Sequence, residues 1–240
     1  MDEYPLALVT GSARRLGRTF ALTLARQGYA IVLHYYRSAE AATSTAEEIR
    51  ALGAQVYLVE ADLTDAEQIQ GLFSKIDALH LQLKVLINSA ARMEHADLRI
   101  VSATDWDAAL NLNLRAPFLL AQRAAERMLK GSLIVNVTDA GVGKPWTGFP
   151  AYMVSKTGLE TLTRLQAKTY APNIRVNAIA PGLVLPSSKT SVEDWEMLVN
   201  RLPLKHPASL DEIATALEFL LKNESVSGQT IVVDGGYSLT

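Results

Sequence analysis

Tyr152 and Lys156 stand four residues apart in the stretch Ala-Tyr-Met-Val-Ser-Lys. On a helix that spacing places both on one face, about one turn apart. An ammonium beside a phenol favours the phenolate, so Lys156 is expected to lower the pKa of Tyr152 from its usual value of about 10. A phenol tuned in this way donates or accepts a proton near neutral pH. Asp139 precedes the pair, after the apolar run Leu133 to Val137 and before a loop rich in Gly and Pro. That run reads as a buried strand, and a strand end in an open α/β sheet is where a catalytic group is expected. Tyr-x-x-x-Lys alone is a weak signal, because a helix with a half-buried tyrosine and a solvated lysine has the same letters.

A second group of residues suits a nucleotide. Thr10-Gly11 and Gly17 bracket a turn between the apolar run Leu6 to Val9 and a following helix. Glycines there let the backbone approach a pyrophosphate, and the helix N-terminus offers free N–H groups and a favourable dipole. The spacing differs from Gly-x-Gly-x-x-Gly, and a two-glycine turn after a strand is often only structural. The second apolar run, Ile31 to Tyr35, leads into Tyr36-Arg37-Ser38 with no acid. An NAD site usually carries Asp or Glu there for the ribose diol. Arg37 can instead pair with a 2′-phosphate and Ser38 can donate to it. Arg14 and Arg15 of the glycine turn lie on the same side. Three arginines and a hydroxyl converging on one pocket favour NADPH.

The elements that must hold these residues follow from periodicity. Strands are expected at 6–9, 31–35, 56–59, 85–87, 133–137, 174–179 and 230–233, each an apolar run rather than an alternating one. Such runs fit a parallel sheet covered on both faces. Helices alternate with them. One ends near Gln27 before Gly28, one spans Ala39 to Leu52, and Asp62 to Asp65 caps the next. A long helix runs from Thr104 to Met128, another carries Tyr152 to about Tyr170, and a last one spans Asp211 to Leu221. Ile213, Ala214, Leu217, Leu220 and Leu221 are expected on the buried side of that last helix. The alternation implies an α/β fold of one domain over residues 1–240, a doubly wound parallel sheet of about seven strands. Residues 183–210 are the least regular, as expected of a mobile lid over a site.

The 240 residues suit one such domain. A net charge of -2 gives no basic excess that would suggest nucleic acid as a partner. With no cysteine there is neither a disulfide framework nor a thiolate metal site. His34, His80, His95 and His206 show no metal-ligand spacing, and each is expected on the surface or in a loop. Met-Asp-Glu-Tyr-Pro does not read as a signal peptide, and no apolar run is long enough to span a membrane. A soluble, cytoplasmic protein is expected.

Across essentially its whole length the chain resembles the short-chain dehydrogenase/reductase family. The matching pieces are Thr10-Gly11 to Gly17, Asp62-Leu63, Asn88-Ser-Ala, Asn113, Tyr152-x-x-x-Lys156, Arg175-Val-Asn-Ala-Ile-Ala-Pro-Gly182, and Gly228 to Val233-Asp-Gly-Gly236. The resemblance implies a Rossmann fold, with Tyr152 as proton donor. It implies that Lys156 holds the nicotinamide ribose and tunes the tyrosine, and that Asn113 supports a proton relay. Cofactor contacts are implied for Gly11, Arg14, Arg15, Leu16, Gly17, Tyr36, Arg37, Ser38, Leu63, Ser89 and Ala90. Asp62 would bind the adenine edge, and Asn88 and Pro181-Gly182 would line the cleft. A homotetramer, built through the long helices and the C-terminal edge, is also implied.

The family usually has Ser where this chain has Asp139. An aspartate there resembles the pteridine reductase branch, which includes the short-chain dihydrofolate and dihydromonapterin reductases. The Arg15-Leu-Gly turn, the His-Tyr-x-Arg-Ser after the second strand and the Asp-Gly-Gly-Tyr-Ser-Leu ending agree with that branch. In it an aromatic ring stacks on the pterin. The aligned position here is Met93, and that of a pterin-contacting serine is Ala91, so other substrates stay open. Arg15, Met93 and Trp146 are the candidate substrate contacts, with Phe149 a further aromatic for the wall. Three functions compete: an NADPH-dependent reductase of a C=N or C=O bond in a small heterocycle such as a pterin, a general carbonyl or 3-oxoacyl thioester reductase, and a cofactor-binding sensor without turnover.

Overall fold

Seven short apolar runs form the strands of one sheet in the computed structural model, which describes residues 4–187 and 190–240. They are β1 Leu6–Val9, β2 Ala30–Tyr35, β3 Val56–Glu60, β4 Leu83–Asn88, β5 Ser132–Val137, β6 Ile174–Pro181 and β7 Thr230–Val233. All pair in parallel, in the order β3-β2-β1-β4-β5-β6-β7. Eight helices connect them: α1 Arg15–Arg26, α2 Ala39–Ala51, α3 Ala66–Asp77, α4 Ala103–Leu110, α5 Ala116–Ala125, α6 Pro150–Tyr170, α7 Val192–Arg201 and α8 Leu210–Lys222.

The central strands are apolar on both sides because helices cover both faces. On one face Phe20 and Leu24 of α1, Ile49 of α2 and Leu217 of α8 join a core cluster. On the other, Phe73 of α3, Leu120 of α5 and Ala167 of α6 join a second. In α8 it is Ala216, with Ile213, Leu217 and Leu220, that is fully buried, while Ala214 and Leu221 are half-buried. The strand order reverses direction between β1 and β4. Their C-terminal ends therefore open a crevice at the switch point, where ligands of such sheets bind.

Two expected elements differ. The helix expected over 104–128 is interrupted by a five-residue π turn, Asn111–Arg115, between α4 and α5. The cause is readable: Pro117 has no N–H to give the carbonyl of Asn113 four residues earlier, so the α ladder fails there. The segment 183–210 is less irregular than expected, since it contains α7. Ser191 caps that helix by accepting from the Asp194 N–H at 3.0 Å. None of the α7 side chains is buried. Ser188 and Lys189 of this segment, and Met1 to Glu3 of the N-terminal stretch, lie outside the described residues. Among the described residues no helix is long and apolar enough to cross a membrane, and no group of acidic or histidine side chains is placed to hold a metal.

Candidate active site

β5 delivers the chain into a tight turn just before α6. The Val142 N–H bonds the Asp139 carbonyl at 3.1 Å, and the Gly141 N–H donates to Asp139 Oδ1 at 2.7 Å. The second carboxylate oxygen, Oδ2, accepts the Tyr152 hydroxyl at 2.6 Å. Pro150 starts α6, where its fixed φ suits the first helical turn. That start places Tyr152 in the first turn and Lys156 one turn on, both buried.

The spacing thus brings the two residues together, but not as a phenol–ammonium pair. Lys156 Nζ donates to the Val137 carbonyl at 2.6 Å and lies 5.7 Å from the centre of the Tyr152 ring. The expected lowering of the Tyr152 pKa is therefore reversed. Burial raises it well above the usual value, and the charge and hydrogen bond of Asp139 raise it further. Burial brings Lys156 down to about 8, against the pull of Asp139. Burial also raises the Asp139 carboxyl, outweighing the Tyr152 hydroxyl, the Gly141 N–H and the Lys156 charge. The result is a buried phenol donating to a half-buried carboxylate beside a buried cation, an arrangement that suits delivery of a proton to a bound ring or carbonyl.

Asn113 lies in the π turn and is buried. Its Oδ1 accepts from the Arg92 N–H at 2.9 Å, and its Nδ2 donates to the Arg92 carbonyl at 2.9 Å and to Ser155 Oγ at 3.0 Å. Ser155 in turn donates to the Tyr152 carbonyl at 2.6 Å. Ser155 was not among the expected site residues. Its signal was its place three residues after Tyr152, on the same helix face.

The glycine turn is fastened at the switch point. Thr10 Oγ1 accepts from the Ser89 and Ala90 N–H groups at 3.0 and 3.1 Å and donates to the Ile87 carbonyl. Gly11 has φ +62°, and a Cβ there would come 2.9 Å from Ala90 Cα. A Cβ on Gly17 would overlap the Gly11 carbonyl. α1 starts with no side-chain cap and no acid in its first turn, so its positive end is open to an anion. Asn88 Nδ2 donates to Asn136 Oδ1 at 2.8 Å, while the buried Asn88 Oδ1 has no partner among the described residues. An uncapped helix end, two glycines that admit no side chain, and an orphaned buried acceptor fit a dinucleotide. His34, expected on the surface, is buried in β2, where its Nδ1 accepts from the Gly11 N–H at 3.1 Å.

The arginines do not all converge. Arg15 donates to the carbonyls of Leu185 and Pro186, both at 3.0 Å, and so ties the glycine turn to the 183–210 segment. Arg14 is the exposed residue preceding α1. Arg37 lies over the Tyr36 ring, 4.7 Å from its centre, and Ser38 Oγ reaches the Tyr36 carbonyl at 3.4 Å. Asp62 accepts from Thr64 N and Oγ1 at 2.9 and 2.7 Å. Burial would raise its carboxyl, but those bonds, the Tyr36 hydroxyl and the Arg37 charge lower it overall. Leu63 is buried beside it. Leu16 packs partly buried on the core.

On the substrate side Met93 is 45 % exposed. Trp146 packs edge-on against Phe149, at 6.1 Å between ring centres, and Phe149 meets His95 at 5.4 Å. The Pro181 carbonyl accepts from the Ala140 N–H at 3.0 Å. Gly182 packs so closely on Asp234 that a Cβ would come within 2.6 Å of it.

A family model described as enoyl-(acyl carrier protein) reductase matches residues 11–238. The chain belongs to the short-chain dehydrogenase/reductase family. Among members of this family, a 3-oxoacyl-[acyl-carrier-protein] reductase of Staphylococcus aureus is 32 % identical over 96 % of both chains. The FolM alternative dihydrofolate reductase 1 of Brucella canis, solved with NADP, superposes with a TM-score of 0.93 at 33 % identity, over 98 % of this chain and 94 % of its own. Its Brucella suis counterpart, also with NADP, gives 0.92 at 33 %, over 99 % and 96 %. As a short-chain oxidoreductase, the chain has its Tyr–Asp pair and its glycine turn on the same edge of the sheet.

Proposed function

We propose that the chain is an NADPH-dependent reductase of a C=N bond in a pterin or dihydrofolate-like ring. The hydrogen bond between Asp139 and Tyr152 carries this reading. A serine hydroxyl suits a ketone or alcohol oxygen. A carboxyl can exchange two hydrogen bonds with an amidine-like ring edge or deliver a proton to a ring nitrogen. The two Brucella neighbours, named as dihydrofolate reductases and solved with NADP, support it.

Gly11, Gly17 and the open end of α1 would hold the pyrophosphate, and Arg37 with Ser38 the 2′-phosphate. NADPH, when bound, supplies the hydride. Tyr152 and Asp139 hold the proton for the ring nitrogen, Lys156 supplies a buried positive charge beside them, and Asn113 with Ser155 fixes the start of α6. The 183–210 segment, with α7, closes over the substrate. We place the protein in the cytoplasm as a homotetramer. Phe118, Val154 and Leu165 on α5 and α6, and Phe219 and Val232 on α8 and β7, are exposed apolar residues that such interfaces would cover.

The 3-oxoacyl reductase reading has the Staphylococcus aureus relative behind it. Against it, Asp139 replaces the hydroxyl that would donate to a developing alkoxide, and it repels that charge whenever it is ionised. A sensor without turnover has no need of the buried Asn113–Ser155–Tyr152 chain. Steady-state NADPH oxidation with dihydrobiopterin, dihydrofolate, a simple ketone and a 3-oxoacyl thioester tests all three. Good turnover of the ketone or thioester, with neither pterin reduced, would replace the pterin reading by the carbonyl reductase. No turnover of any would leave the sensor.

A further inference from the structure

Beyond the phenol, α6 carries a row of side chains one turn apart: Tyr152, Lys156, Glu160 and Arg164. Tyr152 and Lys156 are buried, Glu160 is half-buried and Arg164 is exposed, so the row leads from the Tyr152–Asp139 pair toward solvent. A cavity of about 430 Å³ lies beside it. Its wall is shared by Asp139 after β5, Glu160 and Arg164 of α6, Gln229 and Thr230 at β7, and Ser238 of the C-terminal turn. At about 30 Å³ for each water, a polar cavity of this size holds a chain of several.

Two carboxyl groups thus face one cavity, with Arg164 the third ionisable group on its wall among the described residues. Tyr152 and Lys156 stand against Asp139 from α6, and Tyr237 of the C-terminal turn feels its charge. Burial raises the Glu160 carboxyl, against the Arg164 charge and with the Asp139 charge. Burial raises Asp139 as well. Two acids displaced in the same direction are matched for passing a proton between them. The Asn113 side is different. Asn113 donates to the Arg92 carbonyl and to Ser155, Ser155 donates to the Tyr152 carbonyl, and Lys156 donates to the Val137 carbonyl. Those links end on main-chain oxygens rather than on an acid.

We propose that Glu160 is a proton-relay residue, which returns a proton from solvent to Asp139 through this cavity after each reduction. The proposal rests on the reading of Asp139 and Tyr152 as the pair that holds the proton for the substrate. Each turnover takes one proton from that pair. The Glu160 carboxyl passes its proton through cavity water to the Asp139 carboxylate. The Glu160 carboxylate left behind takes one from solvent, so the pair is refilled and no electron moves. Glu160 acts through Asp139 and sets how fast the pair is refilled, not which bond is reduced.

The experiment compares wild type, Glu160→Gln and Arg164→Gln as full chains. Glutamine keeps the size of Glu160 but has no proton to release. One readout is steady-state turnover with NADPH and dihydrobiopterin, dihydrofolate or a ketone, with and without imidazole at fixed pH. The other needs no substrate: exchange of the Tyr152 hydroxyl proton with solvent, followed as a downfield NMR line. In Glu160→Gln kcat falls about tenfold with KM kept, less than the roughly 10²- to 10⁴-fold expected for loss of the proton donor itself. Exchange slows by a similar factor, and imidazole restores both. In Arg164→Gln the route stays, but loss of the charge that lowers the Glu160 carboxyl moves the pH limb of the rate upward. A Glu160→Gln protein that matches wild type in kcat or in exchange overturns the proposal. So does a loss of kcat that imidazole leaves unchanged, the mark of a structural role. If neither pterin is reduced, exchange slowed in Glu160→Gln and restored by imidazole still upholds the route, while the pterin reading falls.

Discussion

At the scale of single residues, the hydrogen bond from Tyr152 to Asp139 carries the proposed chemistry. Spacing placed Tyr152, Lys156 and Asp139 in one site, but it could not say toward which neighbour the phenol turns. That choice depends on the Val137 carbonyl, which takes the Lys156 ammonium, and this contact comes from another element. If the phenol is the proton donor, Tyr152→Phe binds NADPH nearly normally and slows turnover by about 10²- to 10⁴-fold. The raised Asp139 carboxyl implies a second test. Its neutral form persists above the usual carboxylate range, so pterin reduction falls as pH rises through that pKa. Asp139→Asn removes the titration and the exchangeable proton. It should lose the pH limb together with most of the rate, while Asp139→Ser gains some ketone reduction. A pH–rate profile unchanged in Asp139→Asn counts against the assignment. At the other end of the cleft, Arg37→Ala should weaken NADPH by roughly 10- to 100-fold and NADH hardly at all, the range expected for a charge-assisted contact. Wild-type protein that binds both cofactors equally would remove Arg37 as the discriminator.

At the scale of elements, apolar runs were enough to place all seven strands, since only a sheet covered on both faces tolerates them. α7 was hidden. Trp195, Leu198 and Val199 do share one face at helical spacing, but they are only half-buried and follow a Pro- and Ser-rich stretch, so the segment reads as a loop rather than as a core helix. The π turn was readable in principle from Pro117, but helical periodicity alone runs straight through it. What the turn does is present Asn113 to Arg92 and Ser155 at once. Ser155→Ala would leave one buried Asn113 donor unmade, at a cost of about 1–3 kcal/mol. Urea unfolding should show that loss. Turnover should also fall, with NADPH affinity nearly kept, because the start of α6 carries Tyr152. A variant as stable and as active as wild type would mean that the Asn113–Ser155 link positions nothing.

At the scale of the molecule, His34 links three strands that the fold must keep in register. From β2 its Nδ1 accepts the Gly11 N–H after β1, and its Nε2 meets the Ala61 carbonyl after β3 at 3.0 Å. Only the neutral ring with its proton on Nε2 makes both bonds. Histidine is too often exposed for its letter alone to reveal such a place. Burial pushes its pKa from 6.5 down to about 4, against the Ala61 bond and the Asp62 charge. The sign follows from linkage. Between about pH 6.5 and 4 the unfolded chain takes up a proton that the folded chain refuses, so stability rises with pH across that window. Acidification from 6.5 to 4 should therefore remove on the order of 3 kcal/mol through this one ring, at about 1.4 kcal/mol per unit. His34→Gln keeps a neutral acceptor and donor but cannot titrate. Urea unfolding of both proteins at pH 7, 6, 5 and 4.5 separates this ring from the carboxylates, which titrate alike in the two. Wild type should lose its advantage over the variant steadily below pH 6.5, and NADPH binding should weaken with it, because the same ring holds the turn meant for the pyrophosphate. Parallel stability curves for the two proteins would show that His34 is not the group that sets acid tolerance.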